Sequence, residues 1–130
     1  MLNSLFYTAA IIFALFGVNG ALAQTILSKD HNEIAYDVVG NGSTAIVFVH
    51  GWACNRTFWT EQPPYFLKEF TVVTLDLAGH GESGNERVDW TIDAFAEDVA
   101  SVVNGLYLEE VFLVGHSLGG LVVMEAAHKL

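Results

Sequence analysis

The segment Val111-Phe112-Leu113-Val114-Gly115-His116-Ser117-Leu118-Gly119-Gly120 limits what this chain can fold into more than any other. Four apolar residues run into Gly-His-Ser-Leu-Gly, and Leu121 to His128 then read as helix. Strand, five-residue turn with serine at its centre, helix: this is the setting a G-x-S-x-G elbow requires. Gly115 and Gly119 flank a turn so tight that a side chain at either place would collide with the strand or helix beside it. Ser117, at the apex, is expected in a strained conformation with its hydroxyl above the sheet. The helix begins at that point, so its first amides point at whatever meets the hydroxyl.

The remaining segments supply a sheet for this elbow. Thr25–Leu27 and Glu33–Val39 predict an antiparallel hairpin around Asp30-His31-Asn32, with Ile34, Tyr36 and Val38 alternating against a wet face. Gly40-Asn41-Gly42-Ser43 is a turn, and the continuously apolar Ala45–Val49 is a strand buried on both faces. Asn55–Phe70 is expected to be helical in two pieces, because Pro63-Pro64 must interrupt it. Thr71–Leu75 is the next strand. Ile92, Phe95, Ala96, Val99, Val102 and Val103 recur at helical spacing with Glu97, Asp98 and Ser101 opposite; Thr91 fits the N-cap and Asp93 the first turn. The order of elements predicts an α/β fold with a mostly parallel sheet and flanking helices.

Charge and cysteine usage narrow the function. Fifteen acidic residues against five basic give a net charge of −10, which repels a phosphate backbone and argues against a nucleic-acid partner. Cys54 is the only cysteine, so neither an internal disulfide nor a thiolate metal cluster can form, and it reads as a small packed residue. None of the five histidines pairs at the spacing of a zinc site; no metal and no cofactor is expected.

Residues 1–23 form a separate unit. An apolar run from Leu5 to Val18 leads to Ala21-Leu22-Ala23, the shape of a secretory signal peptide cleaved after Ala23. No lysine or arginine precedes it, which leaves an uncleaved membrane anchor as the rival; the run is shorter than the ~20 residues that span a bilayer, so no stable span is expected. The expected product is exported, secreted or periplasmic.

Three motifs close the three buried strands: His50-Gly51-Trp52, Asp76-Leu77-Ala78-Gly79-His80-Gly81-Glu82-Ser83, and Gly115–Gly119. All stand at carboxyl ends of strands, where open α/β sheets place ligands. In this order and spacing the chain resembles the α/β-hydrolase family from about Ile34 to Leu130. The resemblance implies that Ser117 is a nucleophile attacking an acyl carbon, and that the backbone amides of Trp52 and Leu118 form the oxyanion hole. It implies a small-molecule ester, amide or lactone as substrate; oligomeric state stays open. Serine at 117 argues against the dehalogenase and epoxide-hydrolase branches, which carry aspartate there. Serine-elbow haloperoxidases and acyltransferases remain alternatives, as does a hydrolase-like binding protein.

The other residues of the motifs have plainer readings. Gly51 lets backbone approach the substrate; His50 braces the oxyanion loop; His116, beside the serine, shapes the pocket or the elbow; Asp76 and His80 stabilise their own loop, with a catalytic Asp76 as the lesser reading. Phe58, Trp59 and Phe66 read as core, His128 as surface helix, and Trp90 has no assignment. In the family the acid and the histidine follow the serine. Residues 118–130 contain no aspartate, and His128 lies roughly 16 Å along an intact helix from Ser117 at 1.5 Å per residue. Residues 24–130 are therefore expected to be the N-terminal half of the domain, inactive alone and ending on an apolar, unpaired sheet edge; the rival is an inactive truncated product.

Overall fold

The computed structural model describes residues 24–130, and the expected signal segment lies outside them. Five strands form one sheet in the order β1-β2-β4-β3-β5: β1 Gln24–Leu27, β2 Glu33–Val39, β3 Thr44–Val49, β4 Thr71–Leu75 and β5 Glu110–Gly115. β3 runs parallel to both β4 and β5, while β1 and β2 are antiparallel to their neighbours. Two longer helices, α2 Ile92–Gly105 and α3 Leu118–Ala126, follow the single-turn α1 Pro63–Phe66.

The strand sequences explain the layers. Side chains alternate across a sheet, so Val47 and Val49 of β3 pack with Val73 and Leu75 of β4 on one face, under Phe95, Val99 and Val102 of α2 and Val122 and Ala126 of α3. Ile46, Phe48 and Val72 point to the other face, where Trp59 covers them. β2 departs from the alternation read in its sequence. Because it lies between β1 and β4, Ala35 is buried as fully as Ile34 and Tyr36, and the face turns wet only from Asp37 onward.

Residues 55–70 are less helical than expected. They hold a 3-10 turn at Arg56–Trp59, whose Asn55 side chain caps Thr57, and then α1. Pro63 and Pro64 remove the donors a continuous helix would need. α2 begins where its sequence predicts, with the Thr91 hydroxyl accepting from Ala94 N–H at 3.1 Å. Among the described residues β5 has a single strand neighbour, β3, and Phe112 on it is 59% exposed. No described helix is long and apolar enough to cross a membrane.

Register is what positions the site. Val49 lies opposite Leu75 on one side and Gly115 on the other, so β3, β4 and β5 end level. The loops starting at His50, Asp76 and His116 therefore leave the sheet from one edge, beside each other.

Candidate active site

Ser117 sits at φ 53°, ψ −117°, a conformation that L residues rarely adopt. The flanking glycines make the turn possible. A Cβ on Gly119 would lie 2.5 Å from the His50 carbonyl oxygen and closer still to that of Val49; one on Gly115 would meet the Gly119 carbonyl and lie 2.6 Å from the Gly120 nitrogen. His116 N–H donates to the Val49 carbonyl at 3.0 Å, and Gly119 N–H to that of His116 at 2.9 Å, which ties the elbow to β3. Serine at a helix start ordinarily spends its hydroxyl on capping. Ser117 makes no such bond and is exposed. The Leu118 amide, first in α3, has no acceptor within the helix.

The loop after β3 lies against this elbow. A Cβ at Gly51 would stand 3.2 Å from the Ser117 Cβ and 3.1 Å from the His116 ring. Gly51–Cys54 is a turn, closed by Cys54 N–H on the Gly51 carbonyl at 3.2 Å, with Ala53 at φ 58°. Two of the four non-glycine residues at positive φ among the described residues thus flank the same spot, and such strain persists only where the surroundings enforce it. His50 supplies part of that enforcement. Its ring is fully buried; Nε2 accepts from Leu77 N–H at 3.1 Å and Nδ1 donates to the Gly51 carbonyl at 2.7 Å. Burial holds its pKa below the ordinary imidazole range. With both nitrogens engaged, the neutral ring joins the loops after β3 and β4 rather than exchanging protons with a ligand.

Asp76 is fully buried and saturated with donors. Arg56 N–H reaches Oδ1 at 2.6 Å, Glu82 N–H reaches Oδ2 at 2.9 Å, and the Arg56 guanidinium pairs with Oδ2. Gly81, at φ 53°, is needed because a Cβ there would lie 2.7 Å from Asp76 Oδ1. Ser83 donates to the Asp76 carbonyl at 2.6 Å and accepts from Ala35 N–H at 2.8 Å. The aspartate, glycine and serine of this motif therefore fold one loop onto the sheet. His80 turns Nδ1 to the Ala78 carbonyl at 3.0 Å and lies edge-on to Trp52, ring centres 5.3 Å apart.

The structure brings His50, Gly51, Trp52, His116, Ser117 and Leu118 to one place. Phe58, expected in the core, is 46% exposed and stacks on His116 at 4.6 Å. Phe66 is 37% exposed, Trp59 is buried, and His128 lies exposed past the end of α3.

Two arginines without a motif of their own hold the buried carboxylates. Arg56 holds Asp76. Arg87 is buried and joins Asp98 of α2 (Nη2–Oδ1 2.5 Å) to Asp30 of the β1–β2 turn (Nε–Oδ2 2.9 Å), while Asp98 accepts from Ala78 N–H at 3.1 Å. Asp98 is thus not on the solvent face assigned to it; burial pushes its carboxyl up to about 6 although Arg87 pulls it back. Scarcity was the one available signal: two arginines among fifteen acids are the residues most suited to bidentate pairing.

The same fold occurs in known proteins. Residues 44–130 match the family model described as alpha/beta hydrolase fold. The chain is 38% identical over 97 residues to a bifunctional esterase/perhydrolase of Acinetobacter calcoaceticus, covering 73% of this chain and 35% of that protein. A thermophilic esterase from Thermogutta terrifontis superimposes with a TM-score of 0.75 at 33% identity, over 84% of this chain and 41% of the other. An epoxide hydrolase from Bacillus megaterium reaches a TM-score of 0.74 at 28% identity, over 82% of this chain and 37% of the other. The chain spans about a quarter to a third of the length of the curated relatives it matches. With its mixed sheet, its level strand ends and its strained serine between two obligatory glycines, the chain belongs to the alpha/beta hydrolase fold family.

Proposed function

We propose that the protein is a serine hydrolase of carboxylic esters, with Ser117 as the nucleophile. The observation that carries this reading is the conformation of Ser117: strained, exposed and uncapped at the start of α3, with Gly51 against it. In the proposed reaction, Ser117 Oγ attacks the acyl carbon and its proton passes to a histidine. The carbonyl oxygen becomes an oxyanion facing the Trp52 and Leu118 amides, where preorganised donors are worth about 10²–10³ each in rate. Collapse expels the alcohol, which takes the proton, and leaves an acyl-serine. Water then adds to the acyl carbon and releases the acid and free Ser117.

His50 has both nitrogens engaged, and His116, next to Ser117, stacks on Phe58, so neither is assigned as the base. We therefore assign the triad acid and histidine to chain beyond Leu130, and residues 24–130 alone are expected to be inactive. Residues 1–23 are read as an export signal. The perhydrolase named among the relatives supports a second reading, in which hydrogen peroxide instead of water takes the acyl group and forms a peracid.

The test is a fluorophosphonate probe on the full-length protein. Labelling should occur in the native protein and vanish in Ser117→Ala. A folded native protein that takes no label would favour a binding protein over an enzyme.

A further inference from the structure

A cleft of about 510 Å³ opens beside the candidate oxyanion loop, lined by Trp52, Ala53, Gly79, His80, Asn85 and Trp90. Its size lies within the range of small-molecule sites. Trp52 is 66% exposed and Trp90 45%, and both are large apolar rings. Exposed aromatic surface gathered at one place marks a binding site more often than scattered apolar residues do.

The cleft is built, with its rings held in place. Gly79, at φ 76°, seats the Trp90 ring directly on its backbone, since a Cβ there would come within 2.6 Å of it. Phe95 lies 6.2 Å from the Trp90 ring and the Arg87 guanidinium 5.7 Å. Arg87 is itself fixed by Asp98 and Asp30, so the Trp90 wall is anchored to α2 and to the β1–β2 turn. On the other side, the His80 edge contact orients Trp52. Trp52 follows Gly51, whose backbone lies beside Ser117.

Its chemistry selects the ligand. Among the described residues no carboxylate, lysine or arginine lines it, and the single amide, Asn85, is exposed. The neighbouring groove of about 570 Å³, by contrast, carries Lys29, Asp30, Glu86 and Asp89. Two indoles and an imidazole around a neutral space favour a flat apolar ring, through offset and edge contacts between aromatic groups.

We propose that the Trp52–His80–Trp90 cleft binds an aromatic ring of the substrate, making neutral aromatic esters the preferred class. This rests on the serine-hydrolase reading above. The ring comes either from the alcohol or from the acyl side of the ester, and two matched pairs distinguish the sources: phenyl acetate against ethyl acetate, and methyl benzoate against methyl butyrate.

The experiment measures kcat/KM for all four esters with the full-length native protein, Trp90→Leu and Trp90→Phe. Leucine keeps apolar cover over Gly79 without a flat face, and phenylalanine restores one. In Trp90→Leu the aromatic-to-aliphatic ratio should fall about tenfold in one pair, mainly through KM, and Trp90→Phe should recover most of it. Equal changes across all four esters, or an unchanged ratio in both pairs, would overturn the cleft. Fluorophosphonate labelling of each variant separates the two readings. Label without ring selectivity rejects the cleft alone, whereas no label on folded native protein rejects the hydrolase on which it rests.

Discussion

Replacing Ser117 by glycine is expected to make the protein more stable while removing its reactivity. The residue occupies φ 53°, ψ −117°, where a side chain is strained by ~1–3 kcal/mol. Glycine escapes that strain but loses ~0.5–1 kcal/mol through its freer unfolded chain. Its exposed hydroxyl makes no capping bond, so Ser117→Ala removes little of value and keeps the strain. The difference between the two variants isolates the backbone term, and glycine should exceed alanine by about 1 kcal/mol. At ordinary helical positions the sign is reversed, glycine being ~1 kcal/mol worse than alanine. Urea unfolding of the native protein and both variants reads this directly. With a slope of ~1–3 kcal/mol per molar, the glycine midpoint should lie about 0.5 M above that of alanine. A glycine variant no more stable than the alanine variant would refute the claim that the elbow stores strain.

Two further outcomes follow from the buried charges. Arg56→Met leaves the buried Asp76 carboxylate without its cation, a loss of ~3–5 kcal/mol; adding Asp76→Asn should recover part of it, and a double variant no better than the single one would count against the pairing. Asp98 takes up its proton at about 6 in the folded protein against 3.8 unfolded. The folded state therefore binds that proton more tightly, and its stability should gain up to ~3 kcal/mol from this group as pH falls from about 6 towards 4. Asp30 acts in the opposite sense and only at lower pH: burial alone would raise it, but bonds from Ser28, Arg87 and Asn32 hold it well below the usual carboxylate range. Urea midpoints at pH 4, 5, 6 and 7 should show the Asp98 slope in the native protein and lack it in Asp98→Asn; parallel profiles would contradict the assignment.

Local signals made much of this molecule legible. The continuously apolar run Ala45–Val49 suits a strand buried on both faces, and the β-branched Thr71–Leu75 forms the strand beside it. Thr91 announced α2 because a hydroxyl at that position satisfies an otherwise orphaned amide. The elbow was readable because its requirements are steric and lie within five residues, two of them glycines that no other residue replaces. The family resemblance rested on the same short-range demands. The length of the helical pieces between Asn55 and Phe70 was not legible, since proline placement there had to be weighed against docking on β4.

What the linear sequence determined, then, were the elements and the glycine-bound turns, whose physics is local. Only the tertiary structure decided that β3, β4 and β5 end level, because register is set by pairing between strands far apart in the chain. It likewise decided that Asp98 faces inward to Arg87 and not outward with Glu97: the helical period leaves a flank residue on either side, and a buried guanidinium eleven residues away settles the choice. Trp90 could have no role in the sequence for the same reason. Its meaning comes from Gly79 beneath it and Trp52 across from it, neighbours that exist only once the loops after β3 and β4 stand side by side.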